Sequence, residues 1–241
     1  MGIIKNPQDI FSEITEDFKK AFGTDLVGML LYGSATGDEY VPGKSDINIL
    51  VILRDMGFTS LERGIPAVGR WRKRMVTVVF MTRDYIDSSI DAYPIEFLNM
   101  KLNHRLLFGA DVFEGLTFPP RDLRLQLERE LKGKILHLQQ GFLDSEGKDK
   151  GIRQLIRVSL GAFLPLFRAL LFLRGYEIPT GRRDVIKALS LAYNIKPDVY
   201  LHCVDVREGK DKYSSGEIKE LFKSYHEEIA KLSSCIDCLE V

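Results

Sequence analysis

The chain has 241 residues, 45% of them hydrophobic and 28% charged, enough to bury one large core or two modest ones. Its 34 basic residues are matched by 34 acidic ones and its pI is near 6.9. No global charge therefore draws it to nucleic acid or to an anionic membrane surface, and binding to either would need a local patch.

In chain order, Met1 to Lys20 alternates charged with apolar residues and lacks the apolar stretch of a signal peptide. It reads as an amphipathic helix, and a cytoplasmic location is expected. The run Leu26 to Leu31 reads as a buried strand, which Gly33-Ser34 ends where the backbone must turn tightly. A Gly-Ser turn entering a helix leaves backbone N–H groups and a positive dipole end, which together suit a triphosphate. Ser45-Asp46-Ile47-Asn48 follows, and Ile47 to Leu53 is a second strand rich in branched residues. Period-2 alternation places Asp46 and Asn48 on one face and Ile47, Ile49 and Val51 on the other. Two polar groups thus point together at the mouth of a sheet.

Farther on, Arg70-Trp71-Arg72-Lys73-Arg74 packs four cations around the only Trp. It reads as the solvated end of a helix before a strand at Met75 to Met81, with a phosphate or RNA contact as the other reading. Pro94 to Met100 is a further apolar run, and His104 just beyond it reads as a satisfied surface residue.

After Pro119-Pro120 the strands stop. Apolar residues at spacings of three and four predict a helix over Arg121 to Phe142, and Ile152 to Arg174, Asp184 to Tyr193 and Ser215 to Leu232 predict three more. The expected division is a 1–118 α/β domain and a 119–241 helical bundle. The stretch Leu155 to Leu173 approaches a membrane thickness but contains Arg157, Pro165 and Arg168, which favours a core helix over a span. Cys235 and Cys238 stand one helical turn apart and read as small hydrophobes, without enough further ligands for zinc.

The stretch LYGSATGDEYVPGKSDINILVIL resembles the nucleotidyltransferase superfamily related to DNA polymerase beta, whose pattern is a Gly-Ser turn, a loop of about ten residues and Asp-x-Asp on the next strand. The chain departs from that pattern at Asn48, where the family has its second carboxylate. Tyr93-Pro94-Ile95-Glu96-Phe97-Leu98, with Leu107-Phe108-Gly109 downstream, looks like the strand that carries the family's third carboxylate. The resemblance implies an α+β fold, a mixed sheet with flanking helices. It also implies triphosphate binding by Gly33, Ser34 and Ser45, and Mg²⁺ held by Asp46, Asn48 and Glu96. Asp46 and Glu96 would be the catalytic pair, with Glu96 the remaining candidate for base. An asparagine offers one neutral carbonyl oxygen and cannot take the attacking hydroxyl's proton, so a weaker second metal site follows.

A nucleotidyltransferase core followed by a helical bundle resembles the aminoglycoside nucleotidyltransferases and the minimal nucleotidyltransferases paired with HEPN-type helical domains. The Arg and His spacing of HEPN ribonucleases is missing, the nearest pair being Arg129 and His137, so ribonuclease activity is not implied. The activity implied is Mg-dependent transfer of a nucleoside monophosphate, from ATP before other triphosphates, to a hydroxyl of an unidentified small-molecule or protein acceptor. The alternative is a degenerate, non-catalytic nucleotide-binding protein of regulatory or antitoxin-like role. The bundle is expected to close the acceptor side of the cleft, to supply the surface of a homodimer, or both, and neither membrane nor nucleic acid is an expected partner.

Overall fold

The computed structural model describes residues 3–37 and 39–239. The chain divides into two compact units, the first made of Met1–Asp91 and Phe97–Thr117, the second of Ala92–Glu96 and Phe118–Val241.

The first unit is built on a four-stranded mixed sheet of β1 (Leu26–Tyr32), β2 (Ile47–Leu53), β3 (Val76–Met81) and β4 (His104–Gly109), in the order β3-β2-β1-β4. β1 runs antiparallel to both neighbours, whereas β2 and β3 are parallel and are joined by α2 (Phe58–Arg72), since parallel strands need a crossover. α1 (Phe11–Phe22) is the expected amphipathic helix: Ile14, Phe18 and Phe22 repeat every four residues and are buried. They join Met29, Leu31, Ile49, Val51 and Trp71 in one core on one sheet face. The opposite face is apolar along most of its length as well, with Leu30, Leu50 and Ile52 wholly buried, and turns polar only at Tyr32 and Asn48.

One element departs from expectation. The run read as a strand, Pro94 to Met100, is α4 (Pro94–Leu102), after α3 (Arg83–Ser89), and Glu96 sits in its first helical turn. The physical reason lies in the sequence. Proline has no N–H for a ladder but suits a first helical turn, and Leu98, Met100, Lys101 and Leu102 are straight-chain helix formers. The strand comes later, as β4, paired with β1 so that His104 stands opposite Tyr32.

The second unit is helical: α5 (Pro120–Asp144), α6 (Asp149–Leu173), α7 (Arg182–Tyr193), α8 (Pro197–Glu208) and α9 (Ser215–Asp237). Four of these match the expected helices and α8 is additional. α6 is the one helix among the described residues long and apolar enough to cross a membrane. Here it packs against α5, α7, α8 and α9, with Ile152, Ile156, Leu160, Phe163 and Phe167 wholly buried. Phe163, Phe167, Tyr200 and Tyr225 meet edge to face or stacked at centroid distances of 5.4 to 6.1 Å. Burial pushes the Cys203, Tyr200 and Tyr225 groups in this unit far above their ordinary ionisation, so they remain protonated core residues.

Candidate functional site

β1 ends in a single tight turn of 3-10 helix, Gly33–Thr36, rather than a longer helix. Gly33 has φ +81°, a left-handed conformation that favours glycine. Its N–H donates to the Asn103 carbonyl at 3.0 Å, and the Thr36 hydroxyl donates back to the Gly33 carbonyl at 2.8 Å. With the Gly33 N–H engaged and the i+3 bonds of the turn starting at Ala35, the Ser34 N–H is the one this turn offers a ligand.

Asn48 faces this turn. A Cβ added to Gly33 would stand 3.3 Å from the Asn48 Nδ2 atom, so turn and side chain are in contact distance of each other. Asp46 lies exposed just ahead of β2, and Ile47 between them is buried in the core. The expected alternation is thus present: Ile47, Ile49 and Val51 point into the packed face, and Asn48, half-buried, points to the other.

Ser45 holds the preceding loop. Its Oγ accepts from the Val41 N–H at 3.1 Å, and its own N–H donates to the Val41 carbonyl at 2.9 Å. A hydroxyl used this way shapes the approach to Asp46 and retains its own proton for a further bond.

Sheet register adds residues that spacing in the sequence did not single out for this site. Asn48 pairs with Tyr32 on one side and Thr77 on the other, and Tyr32 pairs with His104. Cross-strand partners share a face, so His104, Tyr32, Asn48 and Thr77 form a polar row across all four strands at the end where the Gly33 turn begins. Burial raises the Tyr32 hydroxyl above its ordinary value, which keeps it a hydrogen-bond donor. The His104 Nδ1 meets the Lys101 carbonyl at 2.8 Å and its Nε2 meets the Asp111 Oδ2 at 2.9 Å. The Lys101 carbonyl can only accept, so Nδ1 donates there and the ring is held between α4 and the Asp111 carboxyl. For Asp111, burial raises the carboxyl, but bonds from His104 and from the Phe113 and Glu114 backbone outweigh it and hold the group below its ordinary value.

Glu96 is held by the helical unit. Gln126, 4% exposed, donates from Nε2 to the Glu96 Oε2 at 2.7 Å and accepts the Ile95 N–H on its Oε1 at 2.8 Å. Glu96 thus fixes the start of α4, and the strand position from which a third carboxylate was expected is occupied by His104 and its neighbours. No group of three or more His, Cys, Asp or Glu side chains placed to hold a metal exists among the described residues.

The basic cluster also finds its place. Arg70 forks onto Asp17 and reaches Glu13, Arg74 meets Glu13 at 3.1 Å, and the buried Trp71 donates its indole N–H to Asp17 at 2.9 Å. These groups clamp α1 to α2. Cys235, half-buried, and Cys238, exposed, sit at the end of α9 as free thiols.

No protein-family model and no curated protein matches this chain. Among solved structures, it is similar to spectinomycin adenyltransferase AAD(9) from Enterococcus faecialis, whose structure contains ATP and spectinomycin. The likeness has a TM-score of 0.57 at 12% identity and covers 93% of this chain and 100% of the other. The fold is nucleotidyltransferase-like, a mixed four-stranded sheet with flanking helices and a helical C-terminal region.

Proposed function

We propose that this chain binds a nucleoside triphosphate, ATP first, at the Gly33–Thr36 turn and transfers its nucleoside monophosphate to a hydroxyl of a small-molecule or protein acceptor. One observation carries the reading: the left-handed Gly33 turn at the end of β1 lies against Asn48, two residues after Asp46, on the neighbouring strand. The fold likeness to a protein crystallised with ATP supports the choice of nucleotide.

The donors present suit one Mg²⁺ arriving with the triphosphate. Mg²⁺ is commonly held by one or two carboxylates together with phosphate oxygens and waters, and Asp46 supplies a carboxylate and Asn48 a carbonyl oxygen. They do not suit a second ion. Bound there, Mg²⁺ would offset charge developing on the α-phosphate. The chain's own part is positional. The Ser34 N–H and hydroxyl bind phosphate oxygens, and the Asn48 amide and Tyr32 hydroxyl orient them. The acceptor oxygen then bonds to the α-phosphorus as the bond to the bridging oxygen breaks. Pyrophosphate leaves, and the acceptor proton passes to water. With Glu96 committed to Gln126, its carboxylate is not free to support proton removal, and turnover is expected to be slow.

A second reading has its own observation. Asn48 has only Tyr32, Thr77 and, beyond them, His104 as row neighbours, none a carboxylate. That favours a non-catalytic nucleotide-binding protein of regulatory or antitoxin-like role. Calorimetry with ATP and Mg²⁺, paired with pyrophosphate release, separates the readings in the wild type and in Asn48→Asp. Binding with release that rises in the variant supports transfer. Binding without release in either protein supports the second reading, and no binding in the folded wild type removes both.

A further inference from the structure

α2 has two faces of opposite use. Ser60, Gly64 and Trp71 are buried, while on the opposite side Phe58 is 80% exposed, Leu61 38% and Ile65 65%. These three stand at i, i+3 and i+7, and Gly69, whose Cβ position has nothing within 4 Å, extends the same stripe. Scattered exposed apolar residues are ordinary, but three in one helical row form a contiguous patch of the kind that marks an interaction surface.

The charges around the stripe are also distinct. Arg63, Arg70 and Arg74, nearer the packed side, are paired with Asp25, Asp17 and Glu13. Glu62, Arg72 and Lys73, exposed along the stripe, have no ion pair among the described residues. The anionic end of the stripe is thus near Phe58 and the cationic end near the C-terminus of the helix, which complements itself when the helix meets an antiparallel copy.

We infer that α2 forms a two-fold interface with a second copy of this chain. Two antiparallel copies centred near Ala67 bring Ile65 of each against the open Gly69 of the other, and Glu62 of each to the level of the other's Arg72 and Lys73. An isologous contact repeats every pair twice. At 15 residues the helix is about 22 Å long, and one such face falls short of the ~800 Å² per partner of a standard interface, so the dimer is weak, roughly micromolar or weaker.

Sedimentation velocity on the full chain from ~1 to ~300 µM spans the range in which such an interface titrates. The weight-average mass should rise from 27.5 kDa towards twice that value. Ile65→Glu with Gly69→Glu, at solvent-facing positions that face each other in this register, should keep the circular dichroism spectrum and remain monomeric at every concentration. Glu62→Arg or Arg72→Glu alone should weaken association by about 5-fold, the scale of two exposed ion pairs turned repulsive, and the two together should restore it. A wild type that stays at monomer mass overturns the inference. So does a folded Ile65→Glu, Gly69→Glu variant that still dimerises. A monomer whose α2 stripe instead carries it onto lipid vesicles overturns it in favour of a membrane occupant.

Discussion

The two faces of the first unit's sheet are made by the same strands and do different work. On one, Leu31, Ile49, Val51, Phe18 and Trp71 are at most 1% exposed and interlock as a core. At the mouth of the other, His104, Tyr32, Asn48 and Thr77 stand side by side, half-buried or exposed. Apolar burial contributes stability, whereas a row of polar groups beside a left-handed glycine contributes almost none. Its presence where a strand could have stayed apolar is what the proposed nucleotide site rests on.

The largest effect expected from breaking this contrast is on the packed face. Phe18→Ala removes a ring that is wholly buried and in contact with Phe22 and Phe80. It should lower unfolding free energy by about 3 to 5 kcal/mol in denaturant titrations, while Thr77→Ala on the polar row should change it by less than about 0.5 kcal/mol. Comparable losses at both positions would erase the distinction between the faces.

Gly33→Val joins the two effects. At φ +81° a β-branched residue is strained, and its Cβ would crowd the Asn48 amide at 3.3 Å. A stability loss of about 1 to 3 kcal/mol is expected, and in the still-folded fraction at low temperature, ATP affinity should fall well beyond that of wild type. Equal affinities by calorimetry would move the phosphate site away from this turn.

Acidification sharpens the comparison at β4. The Asp111 carboxyl is held below its ordinary value in the folded chain, so its contribution is fully present above the ordinary carboxylate range and disappears as pH falls through the lowered value. The difference in unfolding midpoint between wild type and Asp111→Asn should be constant at neutral pH and shrink in acid. A difference independent of pH would mean that the His104 contact carries no charge.

The smallest expected change in stability is at Asp46, which is exposed. Asp46→Ala should leave the unfolding midpoint and metal-free ATP binding nearly unchanged while removing the enhancement by Mg²⁺. Unaltered Mg²⁺ enhancement in the variant would make Asp46 a surface residue without a role in the site.

The part of the candidate site that lies on one continuous stretch was legible in the sequence. Gly33, Ser34, Asp46 and Asn48 belong to one strand-turn-loop-strand stretch, and period-2 alternation along β2 sets Asn48 on the face away from Ile47, Ile49 and Val51. The rest depends on register and tertiary pairing, which no spacing encodes: Thr77 and His104 enter the row, and the Asn103 carbonyl reaches Gly33, only once β3 and β4 are aligned. Glu96 was misplaced because Ile95-Glu96-Phe97-Leu98 is a short apolar run that periodicity cannot assign between helix and strand, and Pro94 was the available signal for a helix start. α8 escaped notice because its buried residues, Tyr200, Cys203, Val204 and Val206, are β-branched or aromatic in part and leave only a weak amphipathic pattern between Pro197 and Gly209.

Titration of isotope-labelled protein with ATP, followed through backbone and side-chain amide resonances, tests the placement of the nucleotide most directly. A triphosphate held at the Gly33 turn should shift the Ser34 backbone amide and the Asn48 side-chain amide most strongly, with Mg²⁺ adding a change near Asp46. Saturable binding whose largest shifts lie elsewhere, or no shift at millimolar ATP with the fold intact, would contradict a nucleotide site at the mouth of this sheet.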